Sequence, residues 1–494
     1  VKLFSAFAAA ALSLGLVLPA PAQPPAATPQ NPPTDPKTAA ASAQPKVAGR
    51  FSGALNTGAI ELTVVFNISA APDGALSATA DSPDQGAMGI PVAKTTFTNG
   101  DTLRLEIPAI AGSWEGKLSS DGNTLTGTWT QGGGSLPLTL KRQDKAPEIR
   151  RPQTPKAPFP YRAEEVEYVN RTANLRLGGT LTLPKGKGPF PAALLITGSG
   201  AQDRDETLFN HKPFAVIADY LTRRGIAVLR VDDRGVNKST GDFTKATSRD
   251  FAGDVRAGIA YLQSRREINK NKIGLIGHSE GGLIAPMVAA QAPKDVAFIV
   301  LLAGPGVPGD QILLAQGALT ARAAGAPEAT IARAQAGQKT AFGVLRAEPD
   351  PAKAEAKLIA LNKQALADLP EATRKAIGNP DAYARTATKM LLSPWFRFFL
   401  TYDPAPTLKK VRCPVLALNG GKDLQVPPGQ NLPALARALK AGGNKNVTLR
   451  ELPGLNHLFQ PTKTGSPSEY AKIEQTFAPE ALRILGDWVV KRTR

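Results

Sequence analysis

The chain has 494 residues, 42% hydrophobic and 20% charged, which excludes a wholly disordered or collagen-like chain and is long enough for two or three folding units. The net charge of +18 would favour an acidic partner, but Lys and Arg are scattered in short doublets such as Arg223-Arg224 and Lys409-Lys410. Without a zinc-finger spacing, an RNA-binding signature or a long basic run, nucleic acid is excluded as a partner; the charge reads first as a solvated surface, and an anionic cell-envelope polymer is the partner it would otherwise suit.

Residues 1–22 read as a secretory signal peptide. Lys2 is followed by an apolar stretch from Leu3 to Leu18 and by the small-x-small pattern Ala20-Pro21-Ala22. The apolar part is short for a stable membrane span, and no later segment has 18 uninterrupted apolar residues, so an exported protein, periplasmic or extracellular, is expected. Residues 23–46, rich in Pro and Ala, predict an extended tether.

Residues 47–141 change character. Leu62, Val64, Phe66 and Ile68 alternate with Thr63, Val65 and Asn67, and similar alternation runs through Leu103–Ile107, Leu125–Trp129 and Leu136–Leu140. Period-two patterning separated by Asp73-Gly74, Asn99-Gly100 and Gly132-Gly133-Gly134 predicts a small antiparallel barrel or sandwich. A second Pro-rich linker follows at 142–160.

From 161 to 494 the pattern alternates strand and helix, which predicts an α/β domain with a mostly parallel sheet covered on both faces. Strands are expected at 191–197, 226–231, 272–276, 296–302, 414–418 and 447–451. Helices are expected at 212–225, 249–266, 283–292, 429–441 and 468–492. The alternation lapses from about 305 to about 405, an Ala-rich, helix-prone stretch that reads as a helical cap. The single cysteine, Cys413, allows no internal disulfide and reads as a small core residue.

Gly277-His278-Ser279-Glu280-Gly281 follows a buried strand and precedes a helix. That is the setting of a nucleophile elbow, in which Ser279 is the nucleophile and the backbone N–H of Glu280 faces the same spot. A serine hydroxyl needs a base. Of three histidines, His278 is inside the elbow and His211 comes too early in the chain, leaving His457, after the strand 447–451. Asp423, after the strand 414–418, is the expected orienting acid, with Asp403 a rival. The loop Thr197-Gly198-Ser199-Gly200 would supply a second oxyanion donor from Ser199, with Gly200 an alternative. Asp203, Arg204 and Asp205 are expected to brace that loop. Trp395, Phe396, Phe398 and Phe399 are candidates for the substrate pocket or, equally, for packing within the cap. Gly304-Pro-Gly306-Val-Pro-Gly309 formally matches a dinucleotide loop, but Pro305 and Pro308 remove N–H donors and no acidic strand end follows, so it reads as a hinge. No cofactor and no metal are indicated.

Together these residues resemble bacterial α/β-hydrolase serine esterases whose oxyanion loop reads G-S-G-x-x-D-R-D and whose elbow reads G-H-S-x-G-G. Ser393-Pro-Trp-Phe396, Tyr402-Asp-Pro404, Cys413-Pro-Val415 and Asn456-His-Leu-Phe-Gln460 look alike too. The resemblance implies carboxylesterase activity on short acyl chains of small-molecule esters, with Ser279, Asp423 and His457 as the triad. A serine peptidase or aminopeptidase of the same fold is the first alternative, and a glycan- or peptidoglycan-binding envelope protein with secondary hydrolase activity the second.

Overall fold

The computed structural model describes residues 46–56, 61–83, 87–131, 134–144, 150–367, 374 and 379–494. The expected signal peptide, the tether up to residue 45, Gly132 and Gly133 of one expected turn, and residues 145–149 of the second linker lie outside the described residues. The chain forms two compact units.

The N-terminal unit is one antiparallel sheet of nine strands: β1 (Gly49–Asn56), β2 (Glu61–Ala70), β3 (Leu76–Ser82), β4 (Ala87–Pro91), β5 (Lys94–Thr98), β6 (Thr102–Ile107), β7 (Gly112–Leu118), β8 (Thr124–Gln131) and β9 (Gly134–Arg142). Their order is β4-β3-β2-β1-β9-β8-β7-β6-β5. The two edge strands are joined by only Val92 and Ala93, whose N–H groups donate to Ala78 and Glu106 on either side. The sheet therefore curls into a half-barrel. Alternate residues turn inward around Phe66, Trp114 and Trp129, as the period-two reading requires.

The second unit carries an eight-stranded sheet: β10 (Arg162–Asn170), β11 (Leu175–Leu183), β12 (Phe190–Ile196), β13 (Ala227–Val231), β14 (Ile268–His278), β15 (Phe298–Leu302), β16 (Val415–Gly420) and β17 (Val447–Leu452). The order is β10-β11-β13-β12-β14-β15-β16-β17. β11 pairs antiparallel with both β10 and β13, and the remaining pairs are parallel. The helices are α1 (Pro213–Thr222), α2 (Ser248–Ser264), α3 (Gly281–Gln291), α4 (Gly309–Ala323), α5 (Glu328–Ala347), α6 (Pro351–Ala367), α7 (Pro380–Leu391), α8 (Pro394–Thr401), α9 (Ala405–Leu408), α10 (Pro428–Ala441) and α11 (Pro479–Thr493).

β12 shows how one strand serves two cores. Ala192, Leu194 and Ile196 join the core under α2, α3 and α10. Ala193 and Leu195 join the opposite core with α1 and α11. Among the described residues five helices and the short α9 separate β15 from β16, where the sequence lost its strand pattern. The last helix is shorter than expected. Pro467–Lys472 is a 3-10 turn, and α11 begins only at Pro479, after Thr476 and Phe477, whose N–H groups donate to the Gln153 side chain. The Pro-rich segment is held at the same place: Arg151 donates to the carbonyl oxygens of Phe209 and Ala471. Among the described residues no helix is long and apolar enough to cross a membrane.

Candidate active site

Ser279 sits between β14 and α3 with φ of 51°, a left-handed conformation that costs a non-glycine residue on the order of 1–3 kcal/mol and persists where the surroundings enforce it. Here the enforcement is close packing. A Cβ on Gly277 would lie 2.0 Å from the Gly281 carbonyl oxygen, and one on Gly281 would lie 2.1 Å from that of Ile196. The Ser279 N–H donates to Leu302 on the adjoining strand (2.8 Å). His278 and Glu280 on either side are buried while Ser279 keeps partial exposure.

His457 is set by the loop after β17. Asn456 closes it, its side-chain oxygen accepting from the N–H groups of Leu458 and Gln460. The His457 Nδ1 lies 2.8 Å from Asp423 Oδ2. Asp423 also accepts from the backbone of Gln425 and Val426 and from Asn419. A carboxylate so surrounded by donors is an acceptor, so the His457 proton sits on Nδ1 and Nε2 is left as the basic nitrogen. Asp403, the rival acid, is exposed and accepts from the N–H of Ala405.

The loop after β12 approaches the serine closely: a Cβ on Gly198 would lie 3.2 Å from the Ser279 Cβ. The Gly198 N–H is already committed to Glu206 Oε1 at 2.6 Å. The N–H groups of Ser199 and Glu280 meet no acceptor among the described residues. Gly200 has φ of 96°, a turn conformation natural to glycine. Asp203, Arg204 and Asp205 brace the loop. Arg204 pairs with Asp232 and Glu165, both at 2.7 Å, Asp205 pairs with Arg230, and Asp203 accepts from the N–H groups of Asp205 and Thr207.

Several supporting residues were not legible in the sequence. Glu206, itself at φ of 52°, binds the Gly198 N–H and His278 Nδ1 (2.9 Å) with one oxygen. His278 then donates from Nε2 to the His457 carbonyl oxygen (3.0 Å). Asp233 accepts from Thr197 Oγ1 (2.7 Å) and the Gln202 N–H, and burial pushes its carboxyl well above the usual range. Tandem acids before Arg234-Gly235 were the one hint.

The Glu280 side chain turns away into the protein. It accepts from Ser248 Oγ at 2.6 Å and from the Trp395 indole N–H at 2.8 and 2.9 Å, and burial raises its pKa. Trp395, on α8, also stacks on Phe399 at 5.3 Å. Phe396 is fully buried against Phe342, Phe399 is buried beside Gly309, and Phe398 stacks on Tyr402. Of the four aromatic candidates, Trp395 alone reaches a residue of the elbow. A cavity of about 40 Å³ beside the loop after β12 is lined by Thr197, Gly198, Asp233 and Glu280 but by neither Ser279 nor His457, which is room for water rather than for an acyl chain. His211 is buried between Thr476 and the Tyr470 carbonyl. Gly304–Gly309 leads from β15 into α4, and the Gly306 N–H donates to Asn431. Cys413 is half-buried, and burial pushes its thiol up to about 12.

Residues 174–450 match the family of X-Pro dipeptidyl-peptidase (S15 family). The chain is 27% identical over 332 residues to Esterase EstD of Thermotoga maritima, covering 66% of this chain and 68% of that protein. Among solved structures it is similar to a Pyrococcus furiosus esterase, Pf2001 (16% identity, TM-score 0.41, 71% of this chain and 100% of the other). It is also similar to the α/β hydrolase GrgF of a Penicillium species (17% identity, TM-score 0.42, 67% and 99%).

Proposed function

We propose that this chain, which belongs to the X-Pro dipeptidyl-peptidase (S15) family of α/β hydrolases, cleaves carboxylic esters of short acyl chain through an acyl-enzyme. Ser279 attacks the ester carbonyl as His457 Nε2 takes its proton. Asp423 holds the imidazole and stabilises its cation. The N–H groups of Ser199 and Glu280 receive the oxyanion. The alcohol leaves with the proton, and water enters by the reverse sequence.

The observation that carries this reading is the His457–Asp423 contact of 2.8 Å on the loop that His278 ties to the elbow. The esterase relative supports an ester rather than an amide. So does Glu280, the carboxylate adjoining the nucleophile, whose oxygens are given to Ser248 and Trp395 rather than left for a substrate ammonium. The family match supports the alternative, release of an X-Pro dipeptide. The sequence 1–22 supports action outside the cytoplasm.

The test is kcat/KM on p-nitrophenyl esters from acetate to palmitate beside an X-Pro p-nitroanilide. The proposal expects short esters to be the best substrates. A higher kcat/KM on the anilide would move the assignment to the peptidase.

A further inference from the structure

The charge that looks scattered along the sequence is gathered by the fold. Five parallel strands, β12, β14, β15, β16 and β17, are neighbours and all begin at one end of the sheet. Just before or within those first residues stand Lys187, Lys270, Lys294, Arg412 and Lys445, every one exposed. Helices end at the same place. Arg412 donates to the Gly442 carbonyl, which brings the C-terminus of α10 and the exposed Lys440 to the start of β16. Lys272 donates to the Thr493 carbonyl, which brings the end of α11 to the start of β14.

Acids at this end are mostly consumed. Glu267 pairs with Arg162 and Arg265, and Asp487 with Arg224. Asp295, bonded to the neutral Gln263, is the acid there that no cation meets among the described residues. The named lysines form no ion pair among them either. Five strands at about 4.8 Å spacing make an array roughly 20 Å wide, extended sideways by the helix ends. It lies opposite Ser279, at the other end of β14.

We infer that this strand-start end is a docking surface for an anionic phospholipid bilayer. The cations are mainly lysines, point charges that suit a diffuse negative plane. Trp488, the aromatic on the last turns of α11, is covered by Arg492 and packed on Phe298, so it gives no stacking platform for a base. Docking here would leave the Ser279 end of the sheet facing away from the lipid.

The experiment is vesicle co-sedimentation of the full chain with phosphatidylcholine alone and with about one third phosphatidylglycerol, from about 0.05 to about 0.5 M salt. Tighter binding to the anionic vesicles by at least about tenfold, lost at high salt, is expected. Lys270→Gln/Lys294→Gln/Lys440→Gln/Lys445→Gln should fall to the neutral-vesicle level with unchanged thermal unfolding. Arg333→Gln/Lys339→Gln/Lys353→Gln, which neutralises exposed cations of the cap, should bind like the wild type. Equal losses in both variants would reduce the effect to net charge and overturn the surface. So would equal binding to the neutral vesicles, or tighter binding to duplex DNA than to anionic lipid.

Discussion

The ring of His278 lies 3.0 Å, through Nε2, from the carbonyl oxygen of His457, so the residue before Ser279 holds the loop that carries the proposed base. Its other nitrogen is 2.9 Å from Glu206. Burial works against the His278 cation, but Glu206 outweighs it and raises the pKa above the ordinary 6.5. A raised folded value means that the stability His278 lends is full below about 6.5 and is lost as pH rises through the folded value. His278→Ala should therefore lower the Tm more at pH 6 than at pH 9. It should also lower kcat roughly 10–100-fold with little change in KM, because a base displaced by an ångström costs that order of rate.

His211 has the opposite sign. Burial first, and then Arg151, bring it down to about 4. It accepts from Thr476 at Nδ1 and donates to Tyr470 from Nε2 as a neutral ring. The unfolded chain takes up that proton more readily, so stability falls as pH drops from about 6.5 towards 4, by roughly 3 kcal/mol. His211→Asn should flatten this acid slope in urea unfolding measured at several pH values. An unchanged slope would assign acid sensitivity elsewhere.

The two acids that competed in the sequence separate sharply. Asp423→Asn, which leaves the His457 proton in the wrong place, should reduce kcat by about four orders of magnitude. Asp403→Asn keeps an oxygen for the turn contact to Ala405, removes only an exposed charge and should leave kcat within about twofold. Steady-state ester hydrolysis distinguishes them.

Trp395 joins the cap to the elbow through Glu280. Trp395→Phe keeps the stacking on Phe399 but removes the donor from a buried carboxyl, at a cost of about 1–3 kcal/mol. A lower urea midpoint and a higher KM for esters are expected. An unchanged midpoint would mean that water or Ser248 alone satisfies Glu280.

Much of this was legible because periodicity and glycine positions report backbone demands. The alternation in β2, β6, β8 and β9 marked the inner face of the half-barrel, and the apolar runs at 191–197 and 272–276 marked central parallel strands. Gly277 and Gly281 announced the elbow, since any Cβ there strikes backbone. Less visible was the hairpin of β10 and β11, although Val166 and Tyr168 alternate with Glu165 and Glu167 as an edge strand should. Glu206, Asp233 and His278 act through partners 30 or more residues away, and no spacing rule reaches that far. The expected helix at 468–492 gave way at 476–477, whose N–H groups bond to the side chain of Gln153, again a distant partner that no local propensity reveals.

The most direct test of the account is intact-mass and peptide mass spectrometry of protein quenched in acid during p-nitrophenyl butyrate turnover. One butyryl group on the peptide containing Ser279, absent from Ser279→Ala, is expected. Turnover with no acylated serine, or with the acyl group on another residue, would contradict it.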